Sequence, residues 1–258
     1  MKPQFFYSTK KEPRQPTDLE LNEIFIKYEL DKSWYDEHKF SWHTMYYTHV
    51  CLGYARYYQA IFNVFRNEKI KFLEIGCDDP RFPFGSAKAW LEYFPNGEIW
   101  GMDNFLKGTE EVLAEHMPLI LDYTERGGNI VFGDQSDAGC LKEIFETLGK
   151  FNVILDDGSH KGEHIWTSLE EGWPNVESGG LYVIEDLSSC WPHPSDTYIH
   201  SRNDDVWATF YNLAHLQVYA PASLRAKEVL DKMLDGIFAI QMTCSRDYMN
   251  WLVLVTKK

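Results

Sequence analysis

The sequence predicts an α/β fold: a mostly parallel, doubly wound sheet with helices on both faces, closed by an antiparallel C-terminal hairpin. Three observations carry this. From residue 70 onward, short apolar runs alternate with helical stretches. Each of five such runs ends in an acid, as strands that open onto one functional rim would. The chain then closes on two further apolar runs, "IFAIQMTC" and "NWLVLVTKK", with only a short connection between them.

The elements follow in order. Residues 1–17 are rich in Lys, Pro and Gln and read as a flexible tail. Residues 18–69 read as an N-terminal helical cap with two stretches, "DLELNEIFIKYEL" and "HTMYYTHVCLGYARYYQAIFNVF". The aromatic stripe of the second falls at helical spacing, the pattern of core packing. Residues 70–258 form the main domain. "IKFLEIG" is a strand, "SAKAWLEYF" a helix, "GEIWGMD" a strand; a helix near 109–121 precedes the strand "NIVFGD". The helix "DAGCLKEIFETLG" leads to "FNVILDD", and the helix "GEHIWTSLEEGW" to "GGLYVIED". Repeated strand–helix–strand units require right-handed crossovers and a parallel sheet. Two more helices, "DVWATFYNLAHLQVY" and "SLRAKEVLDKML", come before the hairpin.

Composition excludes several classes. A net charge of −14 repels phosphate backbones and anionic lipid, so neither nucleic acid nor a membrane is expected as a partner. Five scattered cysteines without a CxxC fit free thiols in a reducing compartment and argue against a disulfide framework. The N-terminus lacks the apolar core of a signal peptide, and no stretch reaches the ~20 apolar residues of a membrane helix. A cytoplasmic protein is expected, and the aromatic helices leave a homo-oligomer open.

The chemistry belongs at the carboxyl ends of the strands. The first ends "LEIGCDDPRFPFGS", with Glu74 and Gly76; the second at Asp103; the third in "GDQSD", with Asp134 and Gln135; the fourth in "DDGSH"; the fifth in "IED". Gly76 allows close approach of a ligand to the backbone. An acid 29 residues after Glu74 (103 − 74) suits ribose hydroxyls. That pairing fits a nucleoside-bearing cofactor, either NAD or S-adenosylmethionine. The turn "GCDDPRFPFG" lacks GxGxxG spacing and puts acids where a diphosphate would sit, so a sulfonium is easier to place there. Asp157, Glu185 and Asp186 would repel one another at neighbouring strand ends unless a hard dication such as Mg²⁺ sat among them. His160 then stands where it can deprotonate a bound hydroxyl.

At these residues the sequence resembles the metal-dependent sugar O-methyltransferases of macrolide biosynthesis, the rhamnosyl O-methyltransferases and the related cephalosporin hydroxylase family. The resemblance covers roughly residues 70–195 and is carried by "FLEIGCDDPRFPFGSAKAWLEYFPNGEIWGMD", "GDQSD" and "FNVILDDGSHKGEHIWTSLEEGWPNVESGGLYVIEDL". It implies the Rossmann-like class I methyltransferase fold, with S-adenosylmethionine and Mg²⁺ as cofactors. It implies Asp157, Glu185 and Asp186 as metal ligands and His160 as catalytic base. Glu74, Gly76, Asp103, Asp134 and Asp156 fall at cofactor-pocket positions, with Gln135 beside them. Where the family often shows "YGTDK", this chain reads "YELDKS" (28–33), and "WPHPSD" stands where "YGG" is common. Tyr46, Tyr47, Trp191 and His193, with His43, are the expected acceptor contacts, because aromatic faces suit sugar rings. The expected reaction is methyl transfer to a hydroxyl of a small-molecule or glycan acceptor, a deoxysugar such as rhamnose being favoured. A non-sugar diol and a non-catalytic cofactor-binding protein are the alternatives. No His-His-carboxylate spacing supports an Fe(II) hydroxylase.

Overall fold

A computed structural model describes residues 2–9, 14–30, 32, 54–79, 82–105, 110–187, 205–244 and 251–258. Among these, the main sheet contains strands β1 (Gln4–Phe6), β2 (Lys71–Ile75), β5 (Glu98–Asp103), β6 (Asn129–Phe132), β7 (Phe151–Asp156), β8 (Val176–Ile184), β9 (Ile237–Cys244) and β10 (Trp251–Lys257). Two-residue strands β3 (Asp78–Asp79) and β4 (Phe82–Pro83) pair separately. The helices are α1 (Leu21–Lys27), α2 (Ala55–Phe62), α3 (Gly85–Tyr93), α4 (Glu110–Glu125), α5 (Ala138–Leu148), α6 (Gly162–Gly172), α7 (Asp205–Tyr211) and α8 (Leu224–Met233).

The sheet order is β1-β6-β5-β2-β7-β8-β10-β9. The five central strands are parallel, and β10 runs antiparallel to both β8 and β9, giving the expected hairpin. Strand order reverses between β2 and β7, which opens a crevice beyond their carboxyl ends.

Alternation along each strand divides the core. Phe72 faces one layer with Phe25, Tyr58, Phe62 and Trp90 of α1, α2 and α3. Leu73 and Ile75 face the other, with Ile144 of α5, Trp166 of α6, Phe210 of α7 and Val229 of α8. Strands buried on both faces carry near-continuous apolar runs, which is why "VIL" and "LYVI" read as they do. Local chemistry sets the helix ends. Asp137 caps α5 through Cys140 N at 3.0 Å, and Ser223 caps α8 through Ala226 N at 3.0 Å. The helix expected over 205–219 is α-helical only to Tyr211 and then widens into a π turn over Asn212–Leu216.

The flexible tail expected over residues 1–17 needs correction. Residues 4–6 form an edge strand antiparallel to β6. Arg14 donates to the carbonyls of Leu91 (2.8 Å), Phe94 (2.6 Å), Gly97 (2.6 Å) and Gly127 (3.2 Å). A guanidinium that satisfies four carbonyls, at the last turn of α3, just past it and before β6, ties Arg14 down, which composition alone does not reveal. No helix of the described residues is long and apolar enough to cross a membrane.

Candidate active site at the sheet switch point

Strand register builds the site. Ile75 pairs with Met102 on one side and Asp156 on the other, and Asp156 pairs with Ile184. The next residue along each strand therefore reaches the same rim: Gly76, Asp103, Asp157 and Glu185. A cavity of about 540 Å³ opens there, a size suited to a cofactor. Gly76 has φ +87°, and a Cβ on it would lie 2.2 Å from the Asp157 carbonyl oxygen. Only glycine fits that crossing of two strand ends.

Of the residues expected to bind cofactor, Gly76, Asp103, Asp134 and Gln135 line the cavity. Asp103 accepts from the amides of Asp78 (3.0 Å) and Phe105 (3.1 Å). Burial nevertheless pushes its carboxyl up to about 6. Asp134 accepts from Ser136 N at 2.8 Å and Ser136 Oγ at 2.6 Å. Glu74 and Asp156 were expected in the pocket, but neither is in its lining. Asp156 stands one residue before the rim residue Asp157, so the pleat turns it toward Ser168 of α6, whereas Glu74 stands two before Gly76 and is covered on the opposite face by Trp90 of α3; both side chains are buried. Glu74 is fully buried and takes a hydrogen bond from Trp90 Nε1 at 3.1 Å, and burial raises it to about 7. Asp156 accepts from Gln135 Nε2 at 2.6 Å, from Ser168 Oγ, and from Tyr182 OH at 3.3 Å. Gln135 also accepts from Ser159 N at 2.9 Å. Asp156 and Gln135 thus brace the "DDGSH" turn from below.

On that turn His160 adopts φ +56°, and across from it Asp186 adopts φ +54°. Left-handed backbone at two non-glycine residues costs energy and concentrates at functional sites. The turn brings His160 Nε2 to 3.9 Å from Asp186 Oδ2. Asp157, His160 and Asp186 offer donor atoms that all lie within 4.8 Å of one another, a spacing that could hold a metal ion.

Glu185 is not in that trio. Its side chain is fully buried, accepts from Lys32 Nζ at 2.6 Å and from Tyr58 OH, and so faces the N-terminal segment. Lys32 also donates to Asp157 Oδ2 at 2.5 Å, and Tyr54 OH donates to Asp186 at 2.7 Å. One ammonium does not neutralise this many buried carboxylates. Burial, opposed by Lys32, holds Asp157 well above the usual carboxylate range, and burial with the charge of Asp157 pushes Glu185 up to about 8. Burial also raises both phenols, so they stay protonated and donate.

Sequence reasoning missed Lys32, Tyr54 and Tyr58. The two tyrosines sit four apart in the stripe read as core packing, and they are indeed buried. Their hydroxyls do a second job that spacing cannot show. Lys32 lies in "YELDKS", whose "DK" is shared with the family text quoted above. Tyr46, Tyr47, Trp191, His193 and His43 lie outside the described residues.

Comparison with solved structures shows 93% of the chain superposing on the MycE methyltransferase of the mycinamycin pathway in complex with Mg, SAH and mycinamycin VI, with a TM-score of 0.61 and 24% identity over 54% of that chain. The chain has the class I methyltransferase fold. Its curated homologues are sugar O-methyltransferases. It is 36% identical over 177 residues to demethylmacrocin O-methyltransferase of Streptomyces fradiae, 67% of this chain and 38% of that protein. It is 34% identical over 143 residues to mycinamicin VI 2''-O-methyltransferase of Micromonospora griseorubida, 54% of this chain and 33% of that protein. The chain thus spans well under half the length of the curated relatives it matches. No family model matches it.

Proposed function

We propose that this chain is an S-adenosylmethionine- and Mg²⁺-dependent O-methyltransferase acting on a sugar hydroxyl of a glycoside. The observation that carries the reading is one switch-point cavity with two chemically different ends. Asp103, braced by backbone amides, lies at one end, and Asp157, His160 and Asp186 converge at the other. The relatives named as sugar O-methyltransferases support the choice of acceptor class.

The residues present fit both cofactors. Asp103 is an acceptor for ribose hydroxyls, and Gly76, which lines the same cavity, lets the ends of β2 and β7 cross closely beneath it. Asp157 and Asp186 are hard oxygen donors. The Lys32 ammonium resting on Asp157 marks the site as one that calls for positive charge. When bound, the cation lowers the pKa of an acceptor hydroxyl and S-adenosylmethionine supplies the methyl group. His160 takes the hydroxyl proton on its imidazole, and Asp186 steadies the imidazolium that results. Gln135, tied to Asp156 and Ser159, keeps the turn that carries His160 in place. Tyr46, Tyr47, Trp191 and His193 are the residues assigned to the acceptor.

The test is methyl transfer from labelled S-adenosylmethionine to a panel of rhamnosides, macrolide glycosides and catechols, with and without EDTA. Transfer to glycosides that chelation stops is the expected result. Transfer confined to catechols would replace the sugar with another diol. Binding of S-adenosylhomocysteine without any transfer would leave a non-catalytic protein, and full activity in EDTA would remove the metal.

A further inference from the structure

We propose that Lys32 is a built-in competitor for the metal: its ammonium holds Asp157 and Glu185 together when no cation is bound and gives up that place when a dication enters. This rests on the metal-dependent reading above and deepens it.

The geometry is specific. Nζ lies 2.5 Å from Asp157 Oδ2 and 2.6 Å from Glu185 Oε2, and Lys32 is 4% exposed. These are oxygens of two residues assigned to the ion. While the ammonium is seated, Glu185 stays apart from the trio that could hold a metal. A dication and an ammonium sharing the same carboxylates would repel one another. The other contacts to these acids come from Tyr54 and Tyr58, which are neutral donors and can stay when the charge changes.

Lys32 is also placed to move. Its backbone carbonyl accepts from Ala55 N at 2.9 Å, which anchors the main chain at the start of α2. The flexible four-carbon stem can then swing its point charge without disturbing that anchor. Withdrawal of Nζ frees an oxygen on each of Asp157 and Glu185 together. The cation would thereby gain Glu185 as the third carboxylate ligand.

The test measures Mn²⁺ affinity by titration calorimetry and by electron paramagnetic resonance, without acceptor, in wild type, Lys32→Met and Lys32→Arg. Lys32→Met is expected to bind Mn²⁺ at least tenfold more tightly than wild type, and Lys32→Arg, which keeps the charge, to stay within about threefold of it. The melting temperature of Lys32→Met in EDTA should be lower than that of wild type and should rise further on adding Mn²⁺. If Lys32→Met binds Mn²⁺ no more tightly while retaining S-adenosylhomocysteine, Lys32 is a structural tie and the proposal fails. If none of the three proteins binds Mn²⁺, the metal reading itself fails with it. Lys32→Gln, which keeps hydrogen-bonding capacity without charge, is read the same way should Lys32→Met not fold.

Discussion

The two halves of the sheet rim handle their acids differently. Beyond β5 and β6, Asp103 and Asp134 are satisfied by the backbone amides of Asp78, Phe105 and Ser136 and by the Ser136 hydroxyl, none more than 25 residues away. Beyond β7 and β8, Asp157, Glu185 and Asp186 depend on side chains more than 120 residues away in sequence: Lys32, Tyr54 and Tyr58. Backbone amides are fixed dipoles, suited to holding an acceptor ready for neutral hydroxyls. An ammonium is a removable charge. On the function proposed above, the first half would take a nucleoside and the second a cation.

That division can be broken most forcefully at His160. His160→Ala should lower kcat by roughly 10²–10⁴-fold, the usual contribution of a positioned base, and leave S-adenosylhomocysteine affinity within about twofold by calorimetry. An equal loss in cofactor affinity would mean that the two halves are not separate. Asp103→Asn probes the other half. Loss of a charged acceptor should weaken S-adenosylhomocysteine roughly tenfold, with the Mn²⁺ affinity unmoved. A shift in metal affinity instead would sink the assignment of Asp103 to the nucleoside.

The smallest effect concerns Glu74, behind the rim. Its folded-state pKa of about 7 lies above its ordinary 4.5. The folded protein therefore holds this proton more firmly than the unfolded chain does. The stability this provides is complete below pH 4.5 and is lost as pH rises to about 7. Glu74→Gln cannot ionise, so its melting temperature should gain on that of wild type across this interval and run parallel to it above. Scanning calorimetry from pH 4 to 8, on the order of single-degree differences, tests this; parallel curves throughout would show that Glu74 ionises normally.

The sequence disclosed the site unevenly. Asp157 and His160 were legible because one short turn carries both, just past an apolar run. Asp103 was legible because its distance from Glu74 follows from one strand–helix–strand unit. Glu74 and Asp156 were misplaced: Asp156 and Asp157 look alike in sequence while the pleat sends them to opposite sides, and Glu74 lies two residues short of the rim residue Gly76, where Trp90 of α3 covers it; neither distinction shows in the spacing of acids along the chain. The edge strand at Gln4–Phe6 was missed because three residues carry too little pattern, and its anchor, Arg14, bonds to distant carbonyls.

The amino-acid order by itself determined the alternation of strands and helices, the class of sheet and the acids at its rim. These follow from periodicity and from groups a few residues apart, where the covalent chain dictates who meets whom. Only the tertiary structure decided that Lys32, Tyr54 and Tyr58 would meet Asp157, Asp186 and Glu185. Groups so far apart along the chain become partners only when packing brings Lys32 and the start of α2 over the rim, and burial then strengthens their pairing.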